Sequence, residues 1–265
     1  MKIIALVENR SECGLKTQHG LSLYIETPKH RILFDAGPND TLLENSEKLG
    51  VDLSKIDTMI LSHGHSDHGG ALEVFLGVNQ IAKIYAQRKA FDKHFAKNAE
   101  NIVVKDISID STLRTHPQIV LLDGDYTIDE ELTLFTVPNT EKCHSSANDN
   151  LWSETGKDDF SHEQSLMILG SVNVLVMGCG HAGAVNILEK AAPYKPRVCI
   201  GGYHLLNPNT GKTVPEELLD SIAREMNKYD IQYYTCHCTG MEAFAYLAEH
   251  VPNMHYLACG DTIEV

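Results

Sequence analysis

Two things are missing from this sequence: a long apolar run and an excess of positive charge. No stretch approaches the ~18 consecutive apolar residues of a membrane helix, and the opening MKIIALVENRSE has too short an apolar run for a secretory leader. The 22 Lys and Arg are outnumbered by 36 Asp and Glu, which gives a formal net charge of −14. A broad basic surface of the kind that tracks phosphate backbones is therefore not expected, so neither nucleic acid nor membrane is an expected partner. A small anionic substrate stays open, because bound divalent metals can dominate a local field. There is no cysteine framework either: the seven cysteines are an odd count and stand singly, apart from Cys236 and Cys238. Free thiols in a reduced, cytoplasmic setting are the simplest reading.

The composition that remains is that of a packed chain. Of 265 residues, 43% are hydrophobic and 22% charged, which excludes a disordered protein. No repeat, low-complexity tract or Pro/Ser-rich linker divides the chain, so a single domain over residues 1–265 is expected, with polar insertions near 88–115 and 139–160. The first half reads as strands joined by turns, at Ile3 to Val7, Leu21 to Glu26 and Arg31 to Phe34. A short helix near Thr41 to Leu49 follows, then a buried strand, Asp57 to Leu61. Further strands are predicted at Lys83 to Ala86, Ile119 to Leu122 and Leu132 to Val137. The second half mixes strands (Leu166 to Leu169, Val172 to Met177, Val198 to Ile200, Ile231 to Tyr234) with helices (Ala184 to Ala192, Pro215 to Lys228, Met241 to His250). Strands first and mixed units later fit an α/β (α+β) architecture of two packed sheets with helices outside.

The chemistry is concentrated in His63-Gly64-His65-Ser66-Asp67-His68. Three imidazoles and a carboxylate fall within six residues directly after a buried strand, and these donors suit zinc, manganese or iron. A solvated histidine-rich loop is the plainer alternative, but a strand followed by HxHxDH is too specific for it. This string resembles the signature of the metallo-β-lactamase superfamily, and the resemblance extends to the Phe34-Asp35-Ala36-Gly37 strand end and to isolated later histidines.

The resemblance implies a four-layered αββα sandwich with a binuclear metal site. It assigns His63 and His65 to one metal and Asp67 and His68 to the other. It suggests His162 as a further ligand, with Glu163 competing, and His237 as the last. Where the family usually has a bridging aspartate, this chain offers Cys179 and His181; His181, at a Gly-flanked helix start, is the preferred ligand and Cys179 the alternative. Extended-strand alternation would point Cys236 and Cys238 away from His237, which makes a separate CxC zinc knuckle a weak reading. Asp35 is expected to orient the ligand loop from behind the ligands. His204 ends a Gly-Gly strand and is expected to contact substrate or metal, with a hydrogen-bonded structural role as the alternative; His19, in a turn before a strand, is a substrate-contacting cleft residue or a plain turn residue. His30, His94, His116, His144, His250 and His255 read as solvated or helix-end residues.

Three strings, Gly178-Cys179-Gly180-His181-Ala182-Gly183, Gly201-Gly202-Tyr203-His204-Leu205 and His237-Cys238-Thr239-Gly240, together with His19-Gly20-Leu21-Ser22, narrow the resemblance. They are similar to the branch containing an archaeal enzyme that joins a dihydropterin methyl diphosphate to a ribofuranosylaminobenzene phosphate. The leading expectation is a hydrolase using two divalent ions, zinc first, on a phosphorylated or diphosphate-bearing small molecule, with Asp67 and His204 as catalytic residues. The alternatives are a diphosphate-expelling C–N bond-forming transferase and a non-catalytic, metal-dependent ligand sensor. Flavodiiron-type redox chemistry is disfavoured, since that branch has a glutamate where His65 stands.

Overall fold

The computed structural model describes residues 1–98, 102–138 and 140–265. It consists of two compact units. The first comprises Met1–Asp123, Trp152–Gly156 and Ala258–Val265; the second comprises Gly124–Leu151 and Lys157–Leu257.

The first unit is built on a seven-stranded sheet in the order Thr262–Glu264, Lys2–Val7, Ser22–Glu26, Arg31–Phe34, Thr58–Ile60, Lys83–Gln87, Ile119–Leu122. Its first three pairings are antiparallel and its last three parallel. Five consecutive residues of Lys2–Val7 are buried, so the strand reads as a continuous apolar run, because both its faces are removed from water. Helices Thr41–Lys48 and Leu72–Val78 bring Leu42, Leu72 and Phe75 into a core with Leu6, Leu33, Met59 and Ile84.

The second unit has its own seven-stranded sheet, ordered Met254–Tyr256, Gln232–Thr235, Val198–Gly201, Val174–Val176, Ser165–Ile168, Leu132–Phe135, Tyr126–Thr127. Here the first three pairings are parallel and the last three antiparallel. Helices Ala184–Ala191, Glu216–Met226 and Met241–His250 pack on it. In Glu216–Met226 the buried residues are Leu219, Ile222, Ala223 and Met226, the spacing of one helical face. Pro215 stands just before that helix and Glu216 and Glu217 occupy its first turn, where carboxylates favour the helix dipole.

Some strands escaped the sequence pattern. Within 88–115, strand His94–Lys97 pairs antiparallel with Val103–Asp106. Within 139–160, short strands lie at Leu151–Ser153 and Gly156–Lys157; residues 99–101 and 139 lie outside the described residues. Val103–Asp106 is exposed along its whole length, so no alternation of apolar and polar residues marks it. Among the described residues, no helix is long and apolar enough to cross a membrane.

Candidate metal centre

In the first unit, the parallel register decides which side chains meet beyond the strand ends. Phe34 pairs with Ile60, and Ile60 with Tyr85. The residues after Phe34 and after Ile60 therefore leave the sheet side by side, at the carboxyl edge where open α/β sheets bind ligands. Asp35 is the first residue past its strand and is wholly buried. Its carboxylate accepts hydrogen bonds from the Ser62 N–H at 2.7 Å, the Ser62 hydroxyl at 2.6 Å and His68 Nδ1 at 2.6 Å.

These contacts set the ring tautomers. A carboxylate only accepts, so His68 must carry its proton on Nδ1. The Ser62 hydroxyl, having donated to Asp35, accepts from His63 Nδ1, 2.8 Å away. One carboxylate thus assigns both protons, directly for His68 and through Ser62 for His63. In both rings Nε2 is then the nitrogen suited to bind a metal.

His63, His65 and His68 are 0%, 4% and 0% exposed. The His63 ring lies 4.5 Å from that of His65 and 4.1 Å from that of His68, centroid to centroid. His65 precedes the short helix Ser66–Gly69 in extended conformation, and that helix carries Asp67 and His68. A Cβ on Gly64 would come within 2.3 Å of the Ala90 carbonyl oxygen, so the turn between the first two histidines accepts no side chain. Asp67 is the more open member of the group, with its side chain 23% exposed; its Oδ2 lies 3.4 Å from His19 Nε2 and 3.9 Å from His68 Nε2. His19 is therefore beside the cluster, as a cleft residue would be. Two buried imidazoles with their protons held on Nδ1, a third ring beside them and one carboxylate are a donor set that fits a divalent metal.

The second unit places its candidates by the same logic. Val176 pairs with Ile200 and Gly201 with Thr235, all in parallel strands. The segments carrying Cys179 and His181, His204, and His237 and Cys238 consequently emerge next to one another. His181 is 1% exposed and doubly held by Asn148, whose Oδ1 meets His181 Nδ1 at 2.8 Å and whose amide N–H donates to the His181 carbonyl at 2.9 Å. Its ring stacks on Phe160 at 4.8 Å and lies 4.2 Å from His204. His162 is equally buried, with Nε2 3.2 Å from Asp158 Oδ2. His237 opens a 3-10 turn, His237–Thr239, with φ of 51°.

Glu163 has a different task from metal ligation. Its two oxygens accept the backbone N–H groups of His181 and Ala182 at 2.8 and 2.7 Å, and so shape the loop that presents His181. Burial pushes its carboxyl up to about 7, against the downward pull of those two hydrogen bonds.

The structure corrects one sequence expectation, removes the argument behind another and adds residues to the list. His94, read as solvated, is 2% exposed, and its ring stands edge-on to His65 with centroids 5.5 Å apart. Strand alternation does not apply around His237, because the chain has left the strand for a turn there, and Cys238 instead joins Cys179 and His204. Ser62, Asn148 and Asp158 were missed. Ser62 adjoins the histidine cluster and could have been suspected; Asn148 and Asp158 have no local signal.

Comparison with known proteins agrees with this picture. Residues 16–139 match the family described as the metallo-beta-lactamase superfamily. Two relatives come from Methanocaldococcus jannaschii. An uncharacterised protein is 28% identical over 247 residues, covering 92% of this chain and 93% of its own length. A 7,8-dihydropterin-6-methyl-4-(beta-D-ribofuranosyl)-aminobenzene-5'-phosphate synthase is 28% identical over 253 residues, covering 86% of this chain and 83% of its own. Among solved structures, Tm1679, titled a metal-dependent hydrolase of the beta-lactamase superfamily, superposes with a TM-score of 0.83 at 24% identity, covering 100% of this chain and 99% of that one. The metallo-β-lactamase superfamily model thus matches residues 16–139 of this chain, and the α/β fold expected from the sequence is the fold of Tm1679. The synthase supports the branch to which the strings around His181, His204 and His237 pointed.

Proposed function

We propose that this chain is a metal-dependent hydrolase that acts on a phosphorylated or diphosphate-bearing small molecule. The observation that carries it is the Asp35–Ser62 relay, which holds the protons of two buried, neighbouring histidines on Nδ1 and so leaves Nε2 as the ligating nitrogen of each. Burying three imidazoles within contact distance of one another has no evident use in packing, where apolar side chains would serve better. The metal ligands would be His63, His65, Asp67 and His68, joined by His162, His181 and His237 in the order the sequence resemblance implies. Two divalent ions, zinc foremost, would supply Lewis acidity toward phosphoryl oxygens and lower the pKa of a water. The chain's own part is placement: Asp67, which keeps solvent contact, orients the water, and His19 at 3.4 Å steadies Asp67.

A second reading is favoured by the synthase relative, which matches across 86% of the chain. In it the same residues would hold metals whose charge would favour the departure of diphosphate, and an amine would take the place of water as nucleophile. Turnover of phosphorylated metabolites in heavy-oxygen water separates the two. Label in the phosphate or diphosphate product with no coupled product supports the hydrolase; a coupled product with a new C–N bond supports the transferase. No turnover, with ligand-dependent thermal stabilisation, would indicate a sensor and overturn both.

A further inference from the structure

Inside the second unit, three side chains at adjacent strand ends form a set of their own. Cys179, His204 and Cys238 are 2%, 6% and 4% exposed, and one donor atom from each lies within 4.8 Å of the other two. Neither ring nitrogen of His204 has a hydrogen-bond partner among the described residues. A buried imidazole in that state has given up water at both nitrogens without replacement, so the ring calls for a ligand. The backbone is committed to the arrangement as well. His204 sits at φ 45°, a left-handed conformation that a residue with a Cβ rarely takes. Cys238 Sγ is fixed by the His204 N–H at 3.3 Å and faces the Cys179 carbonyl at 3.5 Å. A Cβ on Gly202 would come within 2.4 Å of that sulfur, so the Gly-Gly strand end keeps the space beside the thiol clear.

We propose that Cys179, Cys238 and His204 form a thiolate-rich site for zinc, with two sulfurs and one imidazole nitrogen as protein donors. Zinc bonds of ~2.3 Å to sulfur and ~2.0–2.1 Å to nitrogen put tetrahedral donors about 3.5–3.8 Å apart, so closing this set from within 4.8 Å needs shifts of about an ångström or less. Two thiolates select zinc over magnesium, calcium or manganese, which prefer oxygen. A set of three protein donors leaves a coordination position open. His204 is then a metal ligand, not a substrate contact.

The test uses the full-length protein purified under reducing conditions, with its metal exchanged for cobalt(II). Thiolate-bound cobalt absorbs in the near ultraviolet by charge transfer, with an intensity that scales with the number of sulfurs; imidazole and carboxylate ligands give no such band. The wild type should show the two-thiolate intensity. Cys179→Ser and Cys238→Ser should each retain roughly half of it, and His204→Ala should release cobalt to a chelator at lower concentration. A wild type with no charge-transfer band overturns the proposal. So does a Cys238→Ser spectrum equal to wild type, since Cys179 would then be binding metal alone, and so does loss of both free thiols as a Cys179–Cys238 disulfide. If Cys238→Ser does not fold, the wild-type intensity decides by itself, one thiolate against two. The ligands proposed for the hydrolase, His63, His65, Asp67, His68, His162, His181 and His237, include no sulfur, so failure here leaves that proposal intact.

Discussion

Replacing Asp35 by asparagine should weaken metal binding while leaving the fold in place. The exchange is isosteric, and asparagine tolerates the φ of 59° found at this position. The Ser62 N–H can still donate to the amide oxygen. At the other oxygen's position, however, asparagine presents an N–H₂ group to the Ser62 hydroxyl and to His68 Nδ1, both at 2.6 Å in the native protein. Ser62 can turn its proton away. His68 can accommodate a donor only by moving its own proton from Nδ1 to Nε2, the nitrogen that would bind metal. Ser62, once relieved of donating to Asp35, no longer fixes the His63 proton either. Loss of such an orienting partner typically costs ~10–100-fold in metal affinity, about 1.4–2.7 kcal/mol. Asp35→Ala is a harsher change, leaving three buried donors without an acceptor; ~3–5 kcal/mol of destabilisation is expected, a large share of a typical domain's ~5–15 kcal/mol. Zinc affinity measured against a chromogenic chelator, with urea denaturation of the metal-free proteins alongside, separates the two effects. Asp35→Asn with wild-type zinc affinity would refute the tautomer argument.

Other substitutions probe the rest of the site. His63→Ala and His65→Ala should each strip at least one metal and abolish turnover; full occupancy by elemental analysis in either variant would remove that residue from the ligand set. Asn148→Ala removes both bonds to His181 and should lower metal content or affinity by up to ~10-fold, with an unchanged value arguing that His181 is structural. In metal-free protein, Glu163 has a folded pKa of about 7 against an ordinary 4.5, so the native state binds its proton more tightly. That stability is fully present below pH 4.5 and is lost as pH rises through about 7, up to ~3 kcal/mol in all. Glu163→Gln should flatten this part of the pH profile of urea unfolding, and an unaltered profile would show that another group titrates there.

The sequence was informative where a physical pattern stays local. HxHxDH after a buried strand needs only six residues to be read, and helix Met241–His250 and strand Arg31–Phe34 were bounded correctly because apolar periodicity marks them. Val103–Asp106, exposed throughout, has no such mark. His94 was misread for the same reason. Nothing in Asp92-Lys93-His94-Phe95 tells that pairing with Lys105 and Asp106 will bring this segment beside Gly64, where a Cβ would meet His94 Nε2 at 2.8 Å. Strand alternation does not govern Cys238, because the chain turns at His237, one residue beyond Cys236, and periodicity ends with the strand.

A common cause underlies these successes and failures. Candidate residues sit just past the ends of parallel strands, where the sheet fixes a position but no longer fixes a direction. Direction then comes from the backbone: Asp35, His204 and His237 all take positive φ, at 59°, 45° and 51°. A left-handed residue at a strand exit reverses the chain within one step, which turns its side chain from the alternation of the strand toward its neighbours' exits. Such conformations cost roughly 1 kcal/mol or more each, and they persist here because buried hydrogen bonds hold them, three to the Asp35 carboxylate alone. Register places the strand ends, and register follows from hydrophobic pattern, so the list of candidate histidines was legible. Which of them face one another depends on those reversals and on distant partners such as Asn148 and Glu163, which become neighbours only when the sheet has formed.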